Sequence, residues 1–149
     1  AINYAQWGFP LAAKPYPLSW DQRHTIKADA DFILLGGIRS NFIFIYNSAR
    51  PYTFYPTRDG YNPIDTTKAF IPNNKRMFDV GFLNLKLSKV FPIGGEKQYT
   101  MTVYLHASNL TNKKNVRWMD SSGRIGGELA DPSSYYDPRR VRMGLKLEF

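Results

Sequence analysis

Ser19, Asp21 and His24 carry the hydroxyl, carboxylate and imidazole of an acyl-transfer relay within one short segment. That chemistry needs more than the atoms: a nucleophile on a sharp turn, an oxyanion donor beside it, and side chains converging on one point. Pro17-Leu18-Ser19-Trp20-Asp21-Gln22-Arg23-His24 contains no nucleophile elbow and no evident oxyanion donor, and neighbouring residues of an extended chain point to opposite faces. No enzymatic role is expected. His24 and His106 lie far apart, cysteine is absent, and neither histidine sits in a metal-ligand spacing, so no metal or other cofactor is expected. The net charge of +8 permits contact with nucleic acid, and Arg139-Arg140-Val141-Arg142 is the run that would make it. Those cations alternate with apolar residues on the last segment, and no single-strand-binding aromatic platform or zinc module accompanies them, so no nucleic-acid partner is expected. Trp118, Arg124, Tyr135 and Tyr136 share one polar stretch and are residue types that stack on or hydrogen-bond a ligand. The same types also serve as solvated loop and interfacial residues.

The elements that would hold these residues are strands. The 149 residues are at most one ordinary domain, and ten Phe, ten Tyr and three Trp supply too much apolar bulk for a disordered chain. No apolar run approaches the about 20 residues of a spanning helix, and Gly, Pro and Asn interrupt every 3.6-residue pattern. A two-residue period is clear instead. From Lys97 to Ala107, Tyr99, Met101, Val103, Leu105 and Ala107 share one face, opposite Thr100, Thr102, Tyr104 and His106. The last segment sets Val141, Met143, Leu145, Leu147 and Phe149 against Arg140, Arg142, Gly144, Lys146 and Glu148. Arg23 to Phe32 alternates in the same way, a tight hairpin at Gly36-Gly37 leads into Ile38 to Asn47, and Met77 to Val90 changes its apolar parity near Gly81, where a bulge or side switch is expected. Ile2 to Phe9 is a candidate for a further strand.

The connections alternate between short turns around Gly36 and Gly94 and long polar segments, Ala49 to Arg76 and Leu110 to Pro138. In a meander this puts tight turns at one end and extended loops at the other, the distribution of outer-membrane barrels. Trp20, Tyr46, Tyr52 and Phe78 then flank the long-loop end, and Phe32, Phe91 and Phe149 the short-turn end, as girdle residues would. A soluble β-sandwich that binds carbohydrate through loop aromatics is the alternative, because its strands also alternate. Strand length separates the two: these segments approach the about 9–11 residues of a membrane strand, against a usual mode of about 5–6. So does charge, since Lys27, Asp29, Asp31, Lys86, Arg140, Arg142, Lys146 and Glu148 suit a water-filled lumen. The expected fold is an all-β antiparallel meander of about five to six strands, the terminal part of a transmembrane β-barrel. So few strands cannot close on themselves in hydrocarbon, where every backbone polar group needs a partner. The chain is therefore expected to be part of a larger barrel or one of several chains completing a barrel. Its start at Ala1, without Met or a leader, fits a processed or excised piece.

Three stretches resemble the C-terminal barrel of TonB-dependent outer-membrane receptors, especially the large versions of Bacteroidetes-like bacteria. Pro17-Leu18-Ser19-Trp20-Asp21-Gln22-Arg23-His24 is similar to the segment that opens a late barrel strand. Leu85-Lys86-Leu87-Ser88-Lys89, followed by Ala107-Ser108-Asn109-Leu110-Thr111-Asn112-Lys113-Lys114-Asn115, resembles the penultimate hairpin and its exit. Asp137 to Phe149 looks like the closing strand, with Arg142, Gly144, Leu147 and the aromatic Phe149 as the signal read by the barrel-assembly machinery. The resemblance implies that residues 1–149 are the C-terminal portion of a barrel of about 22 strands, without its plug domain and N-terminal strands. It also implies location in the bacterial outer membrane and a part in active uptake of a scarce nutrient such as an iron chelate or oligosaccharide. The implied partners are outer-membrane lipid, the remainder of the barrel and its plug, and the TonB complex acting through the N-terminal part.

Overall fold

The computed structural model describes residues 14–55, 69–94 and 99–149. The candidate strand at Ile2 to Phe9 lies outside them. Seven strands form among the described residues: β1 (Thr25–Leu34), β2 (Ile38–Asn47), β3 (Pro51–Tyr52), β4 (Lys75–Arg76), β5 (Val80–Ile93), β6 (Tyr99–Ser108) and β7 (Arg140–Glu148). Among the described residues helix is confined to single 3-10 turns at Leu35–Gly37 and Pro132–Ser134. The architecture is all-β, as the two-residue period predicts. Five strands make one sheet in the order β1-β2-β5-β6-β7, and β3 pairs with β4 in a separate two-stranded ribbon.

The sheet unit comprises Thr25–Tyr46, Gly81–Lys114 and Asp137–Phe149. Its turn between β1 and β2 is tight because Gly36 and Gly37 take φ of 77° and 74°, a left-handed conformation that costs glycine no Cβ clash. The β5–β6 ladder runs antiparallel without interruption from Leu85↔Ala107 to Ile93↔Tyr99. The β6–β7 ladder runs from Thr100↔Glu148 to Ser108↔Arg140. β5 is continuous through Gly81 and extends beyond Val90 to Ile93. Among the described residues β1 and β7 are the outermost strands of the sheet.

The second unit gathers the described residues of 14–24, 47–80 and 115–136. The segment expected as a plain loop from Ala49 to Arg76 contains the β3–β4 ribbon, with Pro51 opposite Arg76 and Tyr52 opposite Lys75. Phe70, Val116, Asn115 and Ser134 are buried here. Asn115 accepts from the Tyr136 amide at 2.9 Å, and Ser134 Oγ donates to Asp131 O at 2.6 Å, so this small core is held by hydrogen bonds as much as by apolar packing.

Candidate functional site

Cross-strand register decides which side chains share a face, and here it aligns three independent alternations. Leu87, Leu105 and Met143 lie in one row across the sheet. On one side of it is the row Leu85, Ala107 and Val141; on the other come Lys89, Val103 and Leu145, then Phe91, Met101 and Leu147. The opposite face carries the row Lys86, His106 and Arg142, with Lys146 opposite Thr102 and Glu148 opposite Thr100. On β1 and β2 the amide of Asn41 donates to Asp29 at 2.6 Å and to Asp31 at 3.0 Å, while Phe32 meets Phe42 edge-on at 6.1 Å on the other side. Ile38 lines a depression together with Leu87, Phe91 and Met143.

The apolar face is open to its surroundings. Met143 is 81% exposed and Leu145 68%, and Ile26, Phe32, Leu34, Phe44, Phe91, Ile93, Val141 and Leu147 are exposed as well. Leu85, Leu87, Met101, Val103 and Leu105 are half-buried, and among the described residues of the sheet unit Ala107, Ser40 and Asn109 are buried. Monomeric soluble proteins rarely expose contiguous apolar patches larger than a few hundred Å². Of the expected girdle residues, Trp20, Phe78, Phe32, Phe91 and Phe149 are exposed, and Tyr46 and Tyr52 are half-buried.

The residues expected to form an assembly signal all fall on or beside β7. Arg142 and Gly144 stand on the charged face opposite His106 and Tyr104, whereas Leu147 is on the apolar face opposite Met101. The Phe149 ring packs edge-on against Tyr99 at 6.3 Å.

The two internal stretches of the resemblance have clear local roles. Asn109, at φ 49°, ends β6 in a left-handed conformation that asparagine tolerates better than most residues. Its amide nitrogen donates to Lys113 O at 3.0 Å and Asp137 O at 3.2 Å, and its carbonyl accepts from the Lys113 amide at 3.2 Å. Asn112 Oδ1 accepts from the Arg139 amide at 3.1 Å, so the exit of β6 is tied to the chain leading into β7. In the other stretch the Asp21 carboxylate is held by Arg76 and has Arg23 at 3.8 Å. Arg76 also donates to Asp21 O at 3.1 Å and Ala49 O at 2.7 Å, and Gln22 Nε2 donates to Asn47 Oδ1 at 2.7 Å. The His24 amide donates to Ser48 Oγ at 2.9 Å. Asp21 is thus a partner of arginine, and the segment Leu18–His24 clasps the chain that follows β2.

Three of the four loop residues come together through backbone hydrogen bonds. Val116 bridges to Tyr135, the Trp118 amide donates to Ser134 O at 3.4 Å, and the Tyr136 amide donates to Asn115 O, which sets the backbones of Trp118, Tyr135 and Tyr136 side by side. Arg124 belongs to a separate turn at the tip, where its amide donates to Asp120 Oδ1 at 2.8 Å. Tyr135 and Arg124 are exposed, and Trp118 and Tyr136 are half-buried. Asp131 anchors the loop by accepting from the Ser133 hydroxyl at 2.7 Å and its amide at 2.8 Å, and these two bonds hold its carboxyl below the usual range.

A second cluster, which residue type alone does not single out, converges on Phe54. Lys75 Nζ sits 3.4 Å from the ring centroid, Tyr52 packs edge-on at 6.5 Å, and Gly123 approaches so closely that a Cβ there would lie 3.1 Å from Phe54 Cε2. The Tyr52 phenol is pushed above its ordinary value, first by burial and then by the charge of Asp120. Aromatic faces, an ammonium and a carboxylate in one place suit a polar ligand with a ring or cationic group. Residues 56–68 of the same connection lie outside the described set. No protein-family model, curated protein or solved structure matches the chain.

Proposed function

We propose that this chain forms staves in the wall of an outer-membrane β-barrel receptor of the TonB-dependent kind, with its charged face toward a wet lumen and its apolar face toward lipid. One observation carries the reading: the register collects the aliphatic side chains of β6 and β7 on one face, and those of β7 are exposed there. A β-sandwich hides the inner face of each sheet, so such exposure weighs toward membrane contact and away from a soluble carbohydrate-binding module. The open edges β1 and β7 are the places where the remaining staves would pair, because backbone groups in hydrocarbon must be satisfied. An exposed β7 edge ending in Phe149 is also what assembly machinery could engage by strand addition. In the complete receptor the long loops would meet a scarce nutrient outside the cell, and uptake would be driven through a plug coupled to the TonB complex.

The facing is tested by Val103→Asp and Leu145→Asp against Lys146→Asp in the full-length protein, read by the heat-modifiability of the assembled barrel. A charge on the lipid face costs about 2–4 kcal/mol at the midplane for Arg or Lys and less for Asp. The two apolar-face variants are expected to lose the folded band while Lys146→Asp keeps it. Equal behaviour of all three contradicts the proposal.

A further inference from the structure

One cation stands on the apolar face. Lys89 pairs with Val103 and therefore shares its side of the sheet. Its ammonium lies 3.8 Å from where a Cβ of Gly36 would sit and 5.0 Å from the centroid of the Phe91 ring, so its stem runs along the apolar face toward the β1–β2 turn. No carboxylate among the described residues pairs with it. A lone ammonium among lipid chains is costly unless its head reaches the polar boundary, and long basic side chains do this by snorkelling. Beside Lys89 a depression of about 280 Å³ is lined by Ile38, Leu87, Phe91, Leu105 and Met143. That is just below the about 300–1,000 Å³ of small-molecule pockets, and its lining is mainly aliphatic and aromatic, with Ser88 and Lys89 as polar members.

We propose that Lys89 and this groove form a binding site for an anionic glycerophospholipid, with the lipid phosphodiester on Lys89 Nζ and an acyl chain in the groove. Charge complementarity selects the occupant: the site offers a cation at turn level and hydrocarbon immediately beside it, the two halves of a lipid in the order a leaflet presents them. The proposal rests on the lipid-facing assignment of the apolar face.

The test uses the full-length protein reconstituted in vesicles, with Phe91→Trp as a fluorescent reporter and the parent protein subtracted. Quenching by chain-brominated phosphatidylglycerol is compared with quenching by chain-brominated phosphatidylcholine. The expected result is an about five-fold preference for the anionic lipid, the effect of one basic residue at a lipid surface. Lys89→Gln should abolish the preference, while Lys89→Arg and the charged-face variant Lys146→Gln keep it. Equal quenching by both lipids overturns the lipid site but leaves the facing intact. Quenching by neither overturns the facing itself, and with it this site.

Discussion

The ring of Tyr104 on β6 covers Gly144, its register partner on β7, so closely that a Cβ on residue 144 would lie 2.5 Å from Tyr104 Cζ. The glycine supplies space, and the tyrosine fills it, shielding a backbone that would otherwise weaken an edge strand. Gly144 therefore has a packing role, whatever its part in an assembly signal.

Gly144→Ala is expected to destabilise the folded sheet by about 1–3 kcal/mol through overpacking. In the Tyr104→Ala background the same change should cost little, because the clash is gone. Urea midpoints for the four members of this double-mutant cycle measure the coupling, and strictly additive effects would contradict the pairing.

Three of the five sheet strands, β1, β6 and β7, are legible because each alternates over a full crossing. Ile38 to Asn47 is apolar on both faces, which leaves its facing ambiguous in the sequence, yet its boundaries coincide with β2. β5 was harder: its apolar residues change parity near Gly81, and its last residues, Phe91–Ile93, read as a turn although they pair with Tyr99–Met101. The loop residues were chosen by type, which could not reveal that Tyr52, Phe54 and Lys75 meet Gly123. That convergence depends on β3 and β4, two-residue strands too short to leave any period in the sequence. Lys89 also escaped notice, since a single lysine in an apolar alternation looks like a defect until the register puts it beside a groove.

Asn109 ties the exit of β6 to the start of β7 while holding a positive φ. Asn109→Ala should cost about 2–4 kcal/mol, combining unpaired buried backbone groups with the left-handed penalty. Asn109→Gly removes the hydrogen bonds but not the conformational fit, and should lie between Ala and the parent. Equal losses for Ala and Gly would assign the whole effect to the side-chain bonds.

Tyr52 titrates above its ordinary value because burial and the Asp120 carboxylate both disfavour the phenolate. A folded-state pKa raised above the unfolded one gives a contribution fully present below about pH 10 and lost as pH rises through the folded value. Asp120→Asn is expected to bring the Tyr52 pKa down without abolishing the burial component. Ring-labelled tyrosine NMR follows the titration, and an unchanged midpoint would remove Asp120 from the account.

Single cysteines placed along β7 in the assembled full-length protein show whether the sheet has one face in lipid and the other in water. Cysteines replacing Val141, Met143, Leu145 and Leu147 should resist a membrane-impermeant maleimide and shift an environment-sensitive label toward the blue, whereas those replacing Arg142, Lys146 and Glu148 should react from water. Uniform reactivity along the strand, or alternation in the opposite phase, would contradict this facing.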